Sequence, residues 1–208
     1  MSPSAQHRRP LKARSSQWAK QAASWLTNSR ITPNQISVAS LVFAAAGAAL
    51  LLCPAGPAAL IGCALCIQAR LLCNLLDGMV AVEGGKQSAF GLLYNELPDR
   101  LADTVLIVAL GYAIGQPWLG WFGALMAVLT AYVRAVGGSL GLPQDFRGPM
   151  AKQHRMAVMT AGCLLGAIEW PVLGTHGALT GAAFIIAFGA AATCVLRTLA
   201  IARQLQPR

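Results

Sequence analysis

Six predominantly apolar runs, separated by short segments rich in Pro and Gly, dictate what this chain can become. They cover residues 34–53, 58–81, 90–114, 118–140, 156–168 and 178–197. The breaks carry Pro54 and Pro57, Gly84 and Gly85, Pro117, Pro143 with Gly148 and Pro149, then Pro171 and Gly174. A helix rising 1.5 Å per residue crosses a hydrocarbon core in about 20 residues. Five runs approach or exceed that length, and 156–168 is short. Residues are 56% hydrophobic and only 11% charged, whereas a soluble domain carries about 25% charged residues. Lipid is therefore the expected solvent, and in lipid only helices or closed barrels satisfy the backbone. The expected fold is an all-α membrane protein with six transmembrane helices.

Charge placement orients these spans. The segments 54–57, 115–118 and 169–177 hold no Lys or Arg, while the two tails and the 82–89 and 141–155 loops hold thirteen of the sixteen, with Arg197 at the end of the last run counted in the tail. The other three, Arg70, Arg100 and Arg134, fall inside spans. Cytoplasmic loops collect Lys and Arg, so both termini are expected in the cytoplasm, which requires an even number of spans. The net charge of +9 does not argue for nucleic acid: aromatic residues make up only 7%, and the cations lie between apolar runs. Residues 1–30 form a separate region, ahead of the membrane domain at 31–208. Leu11, Trp18, Ala22, Trp25 and Leu26 recur at helical spacing there, with Lys12, Arg14 and Lys20 elsewhere on the wheel. The pattern predicts an amphipathic helix lying on the cytoplasmic leaflet; the competing reading is a disordered basic tail. These residues lack an apolar h-region, so no cleavable signal peptide is expected. The Cys63/Cys66 pair lies in an apolar run with no second pair or nearby His, and reads as packing.

Of the seven carboxylates, four fall in two adjacent spans: Asp77 in the second, and Glu96, Asp99 and Asp103 in the third. An ionisable group at the centre of a span costs on the order of 3 kcal/mol on insertion scales, so such groups signal function by default. The second span should end at the cytoplasm, where the third begins. Asn74 and Asp77 share a helix face, and Asn95, Asp99 and Asp103 form an i, i+4, i+8 ridge with Glu96 within the same arc. The expected result is an oxygen-rich patch suited to a hard divalent cation such as Mg²⁺ completed by substrate phosphates. Gly78 and Gly91 flank it and would let a phosphorylated ligand approach the backbone.

Residues 74–82 read NLLDGMVAV and, eight residues later, 91–99 read GLLYNELPD. This resembles the signature of the CDP-alcohol phosphatidyltransferases, D-x2-D-G-x2-A-R-x8-G-x3-D-x3-D, with every fixed position at its proper spacing. The segment ITPNQIS at 31–37 resembles the stretch that precedes the family's first helix. The chain departs from the signature at Asn74 and Asn95, where it has aspartate, and at Val82, where it has arginine. It looks like a divergent bacterial branch of the family, which implies an inner-membrane location.

The resemblance implies a divalent-metal enzyme using Mg²⁺ or Mn²⁺. In the family the four aspartates hold two ions, and the last is the proposed general base. Carried over, Asn74, Asp77, Asn95 and Asp99 form the metal set and Asp99 is also the candidate base. Glu96 and Asp103 are expected to restore some of the missing charge. Asp77, Gly78, Ala81 and Gly91 would face the nucleotide. Arg134 and, from the basic stretch RGPMAKQHR at 147–155, Lys152 and Arg155 would hold an acceptor's phosphate; the plainer reading of that stretch is a solvated loop. The implied partners are a CDP-diacylglycerol-like lipid, an alcohol acceptor and, as is common in the family, a second copy of the chain. The implied reaction transfers the phosphatidyl group to the alcohol and releases CMP. Two rival readings stand beside it: a catalytically silent relative that binds CDP-lipid, and a small cation or proton transporter. The last requires carboxylates reaching both sides, and only Glu169 lies on the far side.

Overall fold

In the computed structural model, which describes residues 16–53, 56–82, 84–86 and 90–205, the described residues form seven helices. They are α1 (Gln17–Asn28), α2 (Pro33–Leu52), α3 (Pro57–Val82), α4 (Gly91–Ala113), α5 (Pro117–Ser139), α6 (Lys152–Leu173) and α7 (Gly177–Leu205). No strand occurs among the described residues. Local chemistry sets several ends. Thr32 and Gln35 close a reciprocal capping box at the start of α2, with Pro33 in the first turn, where its missing N–H is no loss. Pro117 opens α5 in the same way. Gly174 ends α6 with φ of 65°, a left-handed conformation that glycine adopts freely.

Five helices, α2, α3, α5, α6 and α7, are long and apolar enough to cross a membrane. The fourth, α4, has 23 residues but carries Glu96, Asp99, Arg100 and Asp103 in its first half. The fifth apolar run differs from expectation at both ends. Its helix begins at Lys152 rather than 156, because the N–H groups of His154 and Arg155 already bond to Ala151 O at 2.9 and 3.1 Å. It continues past Pro171 to Leu173. Lys152 and Arg155 therefore belong to the first turn of a helix and not to a loop. Hydropathy starts that segment late because its opening turn is polar.

The helices α2–α7 pack as a closed ring, in the order α2, α3, α6, α7, α5, α4 and back to α2. The consecutive helices α3 and α4 make few backbone contacts and lie on either side of α2. Apolar side chains from all six fill the interior, among them Leu60, Ile67, Leu106, Leu119, Met159 and Ile186. Small residues allow close approach where side chains would not fit. A Cβ on Gly111 of α4 would stand 2.6 Å from Gly120 Cα of α5. Large apolar residues such as Leu65, Trp121, Leu165 and Ile185 face outward.

On α1, Ala19 and Ala23 are buried, clustered with Ile36 of α2 and with Leu75, Met79 and Val80 of α3. Trp18 and Trp25 are 52% and 69% exposed. The two tryptophans of the expected stripe thus lie on the free face, while Leu26 packs with the alanines on the docked one. Leu11, Lys12 and Arg14 lie outside the described residues.

Candidate active site

Three helices project charge into one buried region: α3 with Arg70 and Asp77, α4 with Asp99 and Asp103, and α6 with Lys152 and Arg155. Asp103 is 1% exposed and lies between two guanidinium groups. Its Oδ1 accepts from Arg70 Nη2 at 2.7 Å, and its Oδ2 from Arg155 Nη2 at 2.6 Å. The two arginines are 0% and 1% exposed. A charge this deeply buried is tolerable only when paired, and both Asp103 oxygens are spent on that pairing. Arg155 also donates through Nη1 to Met150 O at 2.8 Å. Arg70 also donates to Asp99 O at 3.3 Å.

One turn earlier on α4, Asp99 is 8% exposed. Its Oδ2 pairs with Lys152 Nζ and lies 3.9 Å from Arg100 Nη2. Arg70 stands 3.8 Å from its Oδ1, beyond hydrogen-bond range, so that oxygen has no hydrogen-bond partner. Asp77, 3% exposed, repeats the arrangement. Ser37 of α2 donates to its Oδ2 at 2.6 Å, and its Oδ1 is unpartnered. Asp77 lies within electrostatic reach of both Asp99 and Lys152. Each of the two carboxylates is therefore anchored through one oxygen and leaves the other without a hydrogen bond. Asn74, one turn before Asp77, has a buried amide nitrogen with no partner. The side chain of Asn95 lies outside the described ones.

At the rim, Glu96 accepts from Arg134 Nη2 of α5 at 2.8 Å and lies 3.4 Å from Arg100 Nε. The Arg134 guanidinium sits 5.4 Å from the centre of the Phe146 ring. Gly78 and Ala81 follow Asp77 along α3, and Gly91 is the first residue of α4. Among the described residues, no three His, Cys, Asp or Glu side chains converge as a metal cage. Both oxygens of Asp103 and Oε1 of Glu96, expected to join one, are held by arginine. The donor chemistry that remains, two unpartnered buried carboxylate oxygens with amide neighbours, fits a hard divalent cation.

Sequence reasoning did not single out two anchors of this site. Ser37, inside the ITPNQIS segment, fixes Asp77. Arg197, 4% exposed on α7, donates through Nε to Arg147 O at 2.9 Å and through Nη1 to Thr130 O at 2.7 Å. Beside it Thr193 accepts from Met150 N at 2.9 Å. Gly148 lies against Thr193 so closely that a Cβ would come within 2.5 Å of Thr193 Cγ2. Together these contacts strap residues 147–150 onto α7 and fix the start of α6. A cleft of about 510 Å³ opens beside this strap, lined by Gln144, Asp145, Arg147 and Arg203 among others and by neither Asp77 nor Asp99.

The architecture defines a polytopic helical membrane protein with a charged site between its spans. Residues 30–195 match the family model described as CDP-alcohol phosphatidyltransferase, and the chain belongs to that family. Among curated relatives, the Aeropyrum pernix archaetidylinositol phosphate synthase is 31% identical over 188 residues, 90% of this chain and 92% of that protein. The Streptomyces avermitilis phosphatidylinositol phosphate synthase is 27% identical over 141 residues, 63% of this chain, and the match spans 57% of that relative's length. Inner membrane protein YnbA of Escherichia coli is 25% identical over 135 residues, 64% of this chain and 67% of that protein. The solved Mycobacterium tuberculosis phosphatidylinositol phosphate synthase with CDP-DAG bound shares the fold with a TM-score of 0.75 at 21% identity, covering 89% of this chain and 94% of that one. Another structure of that protein is in complex with manganese and citrate.

Proposed function

We propose that this protein transfers a phosphatidyl or similar substituted phosphate group from a CDP-linked lipid, such as CDP-diacylglycerol, to an alcohol acceptor and releases CMP. The observation that carries this reading is the pair Asp77 and Asp99. Both occupy motif positions, both are buried, and both leave one oxygen without a hydrogen bond.

The division of labour follows from the contacts. Lys152 holds Oδ2 of Asp99, which fixes the carboxylate and leaves Oδ1 to take the proton of the incoming hydroxyl. The alcohol oxygen then forms a bond to the lipid-side phosphorus as the bond to CMP breaks. Asp77 and Asp99, with the amides of Asn74 and Asn95, would hold Mg²⁺ or Mn²⁺, which when bound neutralises diphosphate charge. Gly78, Ala81 and Gly91 leave room for the nucleotide. Arg134 and Lys152, about one-fifth exposed as side chains, suit a phosphate on the acceptor. Arg155, with both terminal nitrogens engaged, acts instead as part of the frame that sets α6 against α4.

In this reading α4 is the sixth span. Its charges face the ring interior, and both termini and α1 lie at the cytoplasmic face of a bacterial inner membrane. A silent CDP-lipid-binding relative is the second reading, favoured by the amide at Asn74 and by Val82. The deciding experiment uses purified protein in lipid with CDP-diacylglycerol, Mg²⁺ or Mn²⁺ and a panel of alcohols and alcohol phosphates. CMP release with at least one acceptor supports the transferase. CDP-lipid binding without CMP release under every condition would establish the silent relative.

A further inference from the structure

We infer that the site binds one divalent cation, with the Lys152 ammonium as a built-in second positive centre; this rests on the transferase reading above. The ion pairs of the site form one continuous set. It runs from Arg155 through Asp103 and Arg70 to Asp99, from there to Lys152 and Arg100, and through Glu96 to Arg134. It contains five cations and three carboxylates, and Asp77 beside it adds a fourth. Among the described residues the site therefore carries one positive charge in excess before any metal arrives. Aspartate at positions 74 and 95 would turn that excess into one negative charge.

Two divalent ions need carboxylate charge to hold them apart and in place. Among the buried carboxylates of the site, only Oδ1 of Asp77 and Oδ1 of Asp99 lack a hydrogen bond, the latter lying 3.8 Å from Arg70 Nη2. They can face one ion together. A second ion beside Asp99 would need its Oδ2, which Lys152 already holds. An ammonium is a compact point charge that binds phosphate oxygens well. Lys152 is positioned to remain on Asp99 while touching the ligand's diphosphate or its acceptor. The two Asp-to-Asn replacements and the lysine are then one correlated feature: lost carboxylate charge matched by a fixed cation.

The test counts ions. The whole protein in lipid nanodiscs is titrated with Mn²⁺ in the presence of CDP, and free Mn²⁺ is followed by electron paramagnetic resonance. The wild type should bind one Mn²⁺ per chain. Lys152→Gln should tighten that ion about tenfold, Lys152→Arg should leave it near wild type, and the triple variant Asn74→Asp, Asn95→Asp, Lys152→Gln should bind two. Two ions per wild-type chain overturns the inference without any variant, and so does an unchanged affinity in folded Lys152→Gln. CMP release from CDP-diacylglycerol, measured in the same preparation, separates the two readings. CMP released with no Mn²⁺ bound overturns the cation count and keeps the transferase. One Mn²⁺ bound with no CMP released by any acceptor sustains the count and removes the transferase.

Discussion

Along its first half α4 meets its neighbours through charge, and along its second half through apolar side chains and glycine. Glu96, Asp99 and Asp103 each contact a cation from a different part of the ring: Arg134 on α5, Lys152 and Arg155 on α6, Arg70 on α3. Further on, Ala109 and Leu110 are buried, and Gly111 lies against the backbone of Gly120. The ionic half is specific. The charges share partners across three neighbouring helices, and removing one leaves a buried opposite charge short of its counter-charge. The small-residue half is generic, held by shape, and tolerates change in proportion to volume. Chemistry resides where the contacts are specific, and the other end supplies rigidity.

The sharpest way to break this comparison is Asp99→Asn. Its amide keeps an oxygen for Lys152 but cannot accept the proton, so CMP formation should fall by about 10³-fold, within the usual range for a lost general base. The protein should still insert and elute as wild type on size-exclusion chromatography. Full turnover would remove Asp99 from the mechanism. Next comes Asp103→Asn, which leaves Arg70 and Arg155 without their counter-charge. A buried pair broken on one side costs about 3–5 kcal/mol, so thermal unfolding in lipid should shift down far more than for Asp99→Asn. An unshifted melting curve would mean that the two arginines find other partners.

At the opposite end, Gly111→Val should destabilise by about 1–3 kcal/mol through overpacking against Gly120, while the folded fraction keeps its activity. Catalytic loss per folded molecule as large as that of Asp99→Asn would erase the distinction between the two halves. The smallest effect should come from Glu169→Gln. Glu169 accepts from Gly177 N at 2.6 Å and Ala178 N at 2.7 Å, as well as from Thr175 Oγ1, and so caps α7 on the side away from the site. The neutral amide keeps one oxygen and so retains only the bonds made to one of the two carboxylate oxygens, a loss confined to that end of the helix. CMP release should change less than twofold, and a larger change would tie the far loop to catalysis.

Much of this contrast was legible in the residues. Four carboxylates in adjacent apolar runs, together with the spacing from Asp77 through Gly91 to Asp99, pointed to the site and to the family. The pairing was not legible. Asp103 finds Arg155 across 52 positions and Arg70 across 33, and only the closed ring brings them together. Arg70 was noted as an intramembrane charge whose partner the sequence could not name. Lys152 and Arg155 were assigned to a loop because hydropathy cannot see a polar first turn. Their i, i+3 spacing would have placed them on one helix face had the helix been started at Ala151. Ser37 left a fainter trace, as one hydroxyl in a segment already marked by its resemblance to the stretch before the family's first helix. On α1 the aromatic stripe drew attention, but alanine docks because close approach needs small side chains.

The backbone contact of Gly111 with Gly120 also has a mechanical meaning. With no side chain between them the two backbones pack directly, so a relative tilt of α4 and α5 would pivot about that point. Asp99 lies twelve residues away, about 18 Å along the helix at 1.5 Å per residue. A tilt of only about 5° around the glycines would therefore carry its carboxylate roughly 1.5 Å, enough to make or break a hydrogen bond.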